Sequence, residues 1–107
     1  MKLILAIISS DDSKSCVSSL NKEGFHVTRL ATTGGFLSAG NTTLIIGCED
    51  NKVEQAIDLI GKESSRRMEA VPTTISNDLS TLVSCPIEVQ VGGATIFVLN
   101  VEQFKKL

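Results

Sequence analysis

The segment from Thr28 to Gly47, TRLATTGGFLSAGNTTLIIG, holds the residue types best suited to contacting a small ligand. Hydroxyl side chains next to flexible glycine amides can form an anion-binding nest, and glycine lets the backbone approach a phosphate closely. Arg29 is the nearest cation for such a phosphate. The residues predicted to form the nest follow one another at the end of a strand: Thr32, Thr33, Gly34 and Gly35.

Two side chains further along the segment suit a purine base. Phe36 stands in a loop of small and polar residues, where its ring can stack on a base, a contact worth roughly 1–3 kcal/mol. Asn41 offers both a donor and an acceptor to an adenine edge. The same residues have a simpler interpretation, in which TTGG and Asn41 form a turn and Phe36 packs with Leu37 on a neighbouring subunit. The residue pattern leaves ligand binding and subunit packing both open.

Residues suited to catalysis are scarce. His26 is the only histidine and lies in a predicted strand, and the sequence contains no GxSxG, GxGxxG or GxxxxGK[ST] motif. The acidic pairs Asp11-Asp12 and Glu49-Asp50 fall at predicted helix starts, where capping explains them. We therefore expect a protein that is not an enzyme and has no cofactor.

Cysteine spacing gives no metal or disulfide pattern. The three cysteines Cys16, Cys48 and Cys85 are widely separated and form no CxxC pair. Such spacing favours buried, reduced thiols in the cytoplasm over zinc ligands or a disulfide framework.

Composition places the chain among ordinary globular domains. Its 107 residues are 42% hydrophobic and 21% charged, so we expect a single domain over residues 1–107. The net charge of −2 gives no general reason to bind nucleic acid or an anionic membrane. No segment reaches the roughly 20 apolar residues that a membrane-spanning helix needs. The opening MKLILAIIS is better explained as a buried strand than as a signal peptide.

Hydrophobic periodicity predicts the first five elements in the order β-α-β-β-α. Strands are expected over residues 2–9, 25–32 and 42–48. The first helix begins at the cap residues 11–13, runs to about Lys22 and stops at Gly24. The second helix, capped by the acids at 49 and 50, ends near Ser65. Its inward face is spaced at i, i+3, i+4 and i+7: Val53, Ala56, Ile57 and Ile60.

The C-terminal part is predicted to contain a long connection and a hairpin. Residues 66–84 show neither strand nor helix periodicity. Residues 87–91 and 94–100 are expected to pair through a two-residue turn at Gly92-Gly93. The whole order indicates an α+β, ferredoxin-like βαββαβ subunit with an extra C-terminal strand. Both helices then cover one sheet face, and we expect further copies of the chain to cover the other, as a homotrimer.

The stretch TRLATTGGFLSAGNTT closely resembles the hallmark segment of the cyclic di-AMP receptors of the PII-like signal-transduction superfamily. The ending PIEVQVGGATIFVLNVEQF and the opening MKLILAI are also similar to that family. The resemblance implies a homotrimer that binds cyclic di-AMP in clefts between subunits, changes loop conformation and signals to an unknown downstream protein. The contacting positions it implies are Thr28, Gly35, Phe36, Leu37, Asn41 and Gly47, with the Gly92-Gly93 turn near the cleft.

Two places depart from the family pattern. Family members often carry arginine where His26 stands, and Lys105–Leu107 do not follow the usual ending. Histidine gains its charge only in mildly acidic solution, so we expect weaker or pH-sensitive binding. The alternatives are a PII-type sensor of ATP or ADP and a structural trimeric scaffold without nucleotide.

Overall fold

The computed structural model describes residues 1–30, 40–65, 67–72 and 86–107. Six strands, two α-helices and a short 3-10 helix follow one another along these residues. In chain order they are β1 (Lys2–Ser9), α1 (Ser10–Lys22), β2 (Val27–Leu30), β3 (Asn41–Cys48), the 3-10 helix (Asp50–Lys52), α2 (Val53–Ser64), β4 (Arg67–Pro72), β5 (Pro86–Val91) and β6 (Ala94–Asn100).

The main sheet has the strand order β2-β3-β1-β6. All of its neighbouring strands are antiparallel, with Leu5 opposite both Ile45 and Phe97 at its centre. Both helices pack on β1 and on each other. This α+β arrangement is consistent with the predicted ferredoxin-like fold.

The core lies between the helices and one face of the sheet. Alternate residues of the two central strands are buried there, beginning with Ile4 in β1 and Leu44 in β3. The predicted inward face of α2 is confirmed, because Val53, Ala56 and Ile60 are buried and Ile57 packs partly against them. The residues on this side of the core from β1, β3 and α1 are Ile4, Ala6, Ile8, Leu44, Ile46, Cys48, Cys16 and Leu20.

Both helix starts differ from their predicted form. The first helix begins at Ser10, and its N-cap residue Ser9 makes no side-chain capping bond. Asp50 belongs to the 3-10 helix, and its carboxylate lies 3.0 Å from the amino group of Met1. The hydrogen bond from that ammonium group is the main cause that lowers the pKa of Asp50. Asp50 thus contacts the first residue of the chain instead of capping the second helix.

Two C-terminal predictions were wrong. Residues 67–72 form a strand instead of an irregular connection, and this strand pairs with β5 in a separate two-stranded sheet. The predicted hairpin between β5 and β6 is absent, because β6 pairs with β1 at the edge of the main sheet. Gly92 and Gly93 do have positive φ angles, of 82° and 94°. They form a corner between the two sheets.

Candidate functional site

The second face of the main sheet is not covered by the described helices, and we call it the open face. Strand alternation and register assign its residues, because directly opposed residues point to the same side. Strands β1 and β6 supply mostly large apolar side chains, whereas β2 and β3 supply most of the polar ones. The open face consists of Leu3, Leu5, Ile7, Ser9, Thr28, Leu30, Asn41, Thr43, Ile45, Gly47, Thr95, Phe97 and Leu99.

Three of the predicted site residues share the open face. Thr28 lies opposite Ile45, and Gly47 stands two residues further along β3. Asn41 begins the same strand and is therefore about 20 Å from Gly47. All three residues are exposed. The structure thus brings Thr28, Asn41 and Gly47 onto one strip at the β2 border of the sheet.

Arg29 points away from that strip. It lies opposite the buried Leu44, so its side chain is on the helix side of the sheet. There it joins a groove between α1 and β2, which we call the α1 groove. The groove is lined by Lys14, Val17, Ser18, Asn21, Lys22 and Arg29. Neighbouring residues of a strand point to opposite faces of the sheet. The assignment of residues 28 and 29 to one strand is therefore enough to place Arg29 and Thr28 on opposite faces.

A small cavity at the end of β3 places His26 beside Gly47. Its volume is about 230 Å³, and Met1, Cys48 and Lys52 also line it. This is smaller than the roughly 300–1,000 Å³ of sites that enclose drug-sized ligands. The cavity is therefore too small to enclose a whole drug-sized ligand, and the exposed His26 lies at its wall.

Gly92 occupies a crowded corner beyond the C-terminal end of α2. A Cβ atom at this position would lie 2.6 Å from the carbonyl oxygen of Ser65 and 2.7 Å from Nη1 of Arg67. The amide of Gly93 donates a hydrogen bond to the carbonyl oxygen of Ser64. The corner lies at the same end of the sheet as Asn41, because β6 and β3 both begin where β1 ends.

An ion pair not predicted from the sequence lies near this corner. Arg67 Nη2 is 2.7 Å from Oδ1 of Asp12, and Nη1 is 3.4 Å from Oδ2. Asp12 is only 5% exposed, although it lies in the first turn of α1. The guanidinium also donates to the carbonyl oxygen of Ser65 at 3.2 Å. These contacts join the start of β4 to the first turn of α1.

The predicted phosphate-binding residues Thr32, Gly34 and Gly35, together with Phe36 and Leu37, lie outside the described residues. The residues that flank them are described. Gly40 accepts a hydrogen bond from the amide of Ser10 at 2.6 Å, and the hydroxyls of Ser10 and Thr42 are 2.8 Å apart. Gly40 and Thr42 are therefore held beside the start of α1.

The sequence profile of a family described as cyclic-di-AMP receptor matches residues 1–107, the whole chain. The chain belongs to the cyclic-di-AMP receptor family. Cyclic di-AMP is thus the ligand of the family to which this protein belongs, and no catalytic family is indicated.

A solved structure from the bacterium Pediococcus pentosaceus is similar to this receptor-family chain. That protein, described as functionally unknown, is 39% identical, with a TM-score of 0.77. The match covers 99% of this chain and 96% of the other. The shared fold therefore extends over essentially the complete length of both chains.

Cys16 and Cys48, the two cysteines among the described residues of this receptor-family protein, are poor nucleophiles. Burial, followed by the negative charges of Asp12 and Glu63, raises the pKa of the Cys16 thiol to about 11. Burial likewise raises the pKa of Cys48. Both thiols stay protonated near neutral pH, and the thiolate is the reactive form.

Two features are absent from the described part of the chain. Within it, no group of three or more His, Cys, Asp or Glu residues is arranged to hold a metal ion. No helix among these residues is long and apolar enough to cross a membrane.

Proposed function

We propose that this protein is a non-catalytic signal-transduction receptor that binds cyclic di-AMP in clefts between the subunits of a homotrimer. The observation that carries the proposal is the placement of Thr28, Asn41 and Gly47 on one exposed strip of the open face. Membership of the cyclic-di-AMP receptor family supports the choice of ligand. The apolar half of the same face supports assembly.

The apolar half of the open face favours contact with further copies of the chain. Leu5, Ile45 and Phe97 are aligned across three strands, and the pair of Leu3 with Leu99 extends the patch. Phe97 is 52% exposed and Leu99 45% exposed in the single chain. Contiguous apolar surface of this kind marks an interaction site. Other copies of this chain are the natural partners, because most soluble oligomers are symmetric homo-oligomers.

The polar border of the open face suits a ligand at the edge of such an interface. Strand β2 is the edge strand of the main sheet, so Thr28 lies at the rim and the apolar residues lie toward β1 and β6. A cleft at this rim leaves the apolar patch free for subunit packing. In this arrangement Thr28 and Asn41 contact base edges, Phe36 and Leu37 a base face, and Gly34 and Gly35 the phosphates. Gly92 is proposed to approach the cleft at the Asn41 end.

Calorimetric titration with cyclic di-AMP tests this proposal directly. We expect saturable binding of one ligand per subunit, with weaker or no binding of ATP and cyclic di-GMP. Preferred binding of ATP would favour a PII-type sensor, and no binding by a folded trimer would favour a scaffold. The same titration at about pH 5.5 and 8 tests whether His26 makes ligand binding pH-sensitive. Equal affinity at both pH values would contradict that expectation.

Matched variants separate ligand contact from assembly in the same titration. Phe36→Ala and Asn41→Ala are expected to weaken cyclic di-AMP binding about tenfold or more while the trimer persists. Asn51→Ala is the control, because Asn51 is exposed in the 3-10 helix, outside the open face. If Phe36→Ala instead breaks the trimer, the ring is a subunit contact and the scaffold alternative gains support.

The proposed signal is a change in the loops at one end of the main sheet. Three features meet at this end. Gly40 and the Arg67–Asp12 ion pair lie at the start of α1, and the Gly92-Gly93 corner lies near the end of β1. A ligand that changes the conformation of the 36–41 loop can therefore affect the two-stranded sheet. We expect cyclic di-AMP to slow chymotryptic cleavage at Leu79 and Leu82. Identical cleavage with and without ligand would contradict this switch.

A further inference from the structure

The α1 groove is a surface on the helix side, away from the proposed ligand strip. Its helical wall is one continuous stripe at i, i+3, i+4, i+7 and i+8, and Arg29 of the edge strand forms the other wall. The stripe residues are exposed except for Val17, which is half-buried. In chain order the stripe consists of Lys14, Val17, Ser18, Asn21 and Lys22.

All charged residues that line the α1 groove are cations. Lys14, Lys22 and Arg29 line it, and no carboxylate does among the residues that the structure describes. In that same part of the chain, none of the three has an ion-pair partner within 4.0 Å. This local positive charge stands out in a protein whose net charge is −2.

Two carboxylates of the helix layer make contacts away from the α1 groove. Glu63 accepts a hydrogen bond from Ser19 at 2.9 Å, and Glu23 accepts one from Gln55 at 3.4 Å. Both contacts join α1 to α2, on the side of α1 that faces the other helix. These two carboxylates therefore lie away from the cations that line the α1 groove.

We propose that the α1 groove binds an extended acidic segment of a partner protein. Lys14 and Lys22 are about 12 Å apart along the helix axis, which equals the length of about four extended residues. The cations match carboxylates of such a segment, Ser18 and Asn21 offer hydrogen bonds to its backbone, and Val17 offers apolar contact. Charge complementarity of this kind sets partner choice and raises association rates.

A protein segment fits the groove better than a nucleic acid does. Among the described residues, the lining has only three cations and no aromatic side chain on which a base could stack. The overall negative charge would also repel a long polyanion.

The groove stays accessible in the proposed trimer, because subunit contacts there use the open face. Arg29 lies between Thr28 and Leu30 on strand β2. If the proposed function holds, ligand binding at Thr28 can therefore reposition the wall of the groove that Arg29 forms.

Fluorescence anisotropy tests the groove with a labelled hexapeptide of alternating glutamate and valine. We expect saturable, salt-sensitive binding to the full chain and at least fivefold weaker binding of the same peptide with glutamine in place of glutamate. Lys14→Glu/Lys22→Glu should weaken binding of the glutamate peptide about tenfold. Lys62→Glu/Lys105→Glu carries the same change in net charge outside the groove and should change this affinity less than twofold.

Several outcomes would overturn the inference. Equal losses in the two double variants would mean a general charge effect, and equal binding of the two peptides would remove the role of the carboxylates. Tighter binding of a labelled 12-nucleotide DNA strand would make the groove a nucleic-acid surface. Cyclic di-AMP titration of the same variants should be unchanged, so failure of the peptide test leaves the receptor proposal intact.

Discussion

A Phe97→Ser variant is expected to elute as a monomer at protein concentrations where the unmodified chain forms the proposed trimer. Phe97 lies on the open face opposite Leu5 and is 52% exposed in the single chain. Fully burying a phenylalanine contributes about 1.5–3 kcal/mol, and about half of that remains to be gained at Phe97. A symmetric trimer loses this smaller contribution three times, so the association constant should fall by about two to three orders of magnitude. Size-exclusion chromatography with light scattering measures the change.

Val98→Ser is the matched control for this experiment. Val98 is the next residue of β6 and is 43% exposed, but its side chain is on the helix side of the sheet. The Val98→Ser substitution removes apolar surface from the same strand but leaves the open face unchanged. We therefore expect the proposed trimer to persist. If Phe97→Ser leaves the trimer intact while Val98→Ser breaks it, subunits meet on the other side of the sheet.

Replacing Gly92 by alanine is expected to lower the free energy of unfolding by about 2–4 kcal/mol. Two costs add at this position. The φ angle of 82° is unfavourable for a residue with a Cβ atom. The new atom would also lie 2.6 Å from the backbone oxygen of Ser65, which can move only with the end of α2. Urea unfolding followed by circular dichroism, at one protein concentration, measures the loss.

Gly24→Ala separates the two costs. Gly24 has a similar φ angle of 86°, yet a Cβ atom there would meet nothing within 4 Å. We therefore expect a loss of about 1 kcal/mol, from backbone strain alone. Equal losses in the two variants would show that the corner at Gly92 relaxes without cost, and that it does not hold the two sheets in a fixed relation.

The elements with strong local patterns could be predicted from the sequence. The spacing of Val53, Ala56 and Ile60 along α2 reports its buried face directly, because a helix repeats every 3.6 residues. Strand β1 was equally clear from its apolar run. The resemblance carried by residues 28–43 is supported by the family match.

Features that depend on distant residues could not be predicted. Strand β4 forms because residues 67–72 pair with residues 86–91, and no local period signals such a partner. The Arg67–Asp12 ion pair joins residues 55 positions apart in the chain. The sequence around Asp12 predicts only a residue at the start of a helix. Its burial and its contact with Arg67 depend on the fold of the chain.

In the proposed function, the shared use of the open face makes assembly and ligand capture parts of one equilibrium. The strip with Thr28 and Asn41 and the patch with Leu5 and Phe97 lie on adjoining strands of a single sheet. A ligand that bridges two chains stabilises their association by mass action, and association in turn creates the complete cleft. The number of copies in a cell would then help to set the nucleotide concentration at which the protein responds, a dependence that simple dilution would reveal.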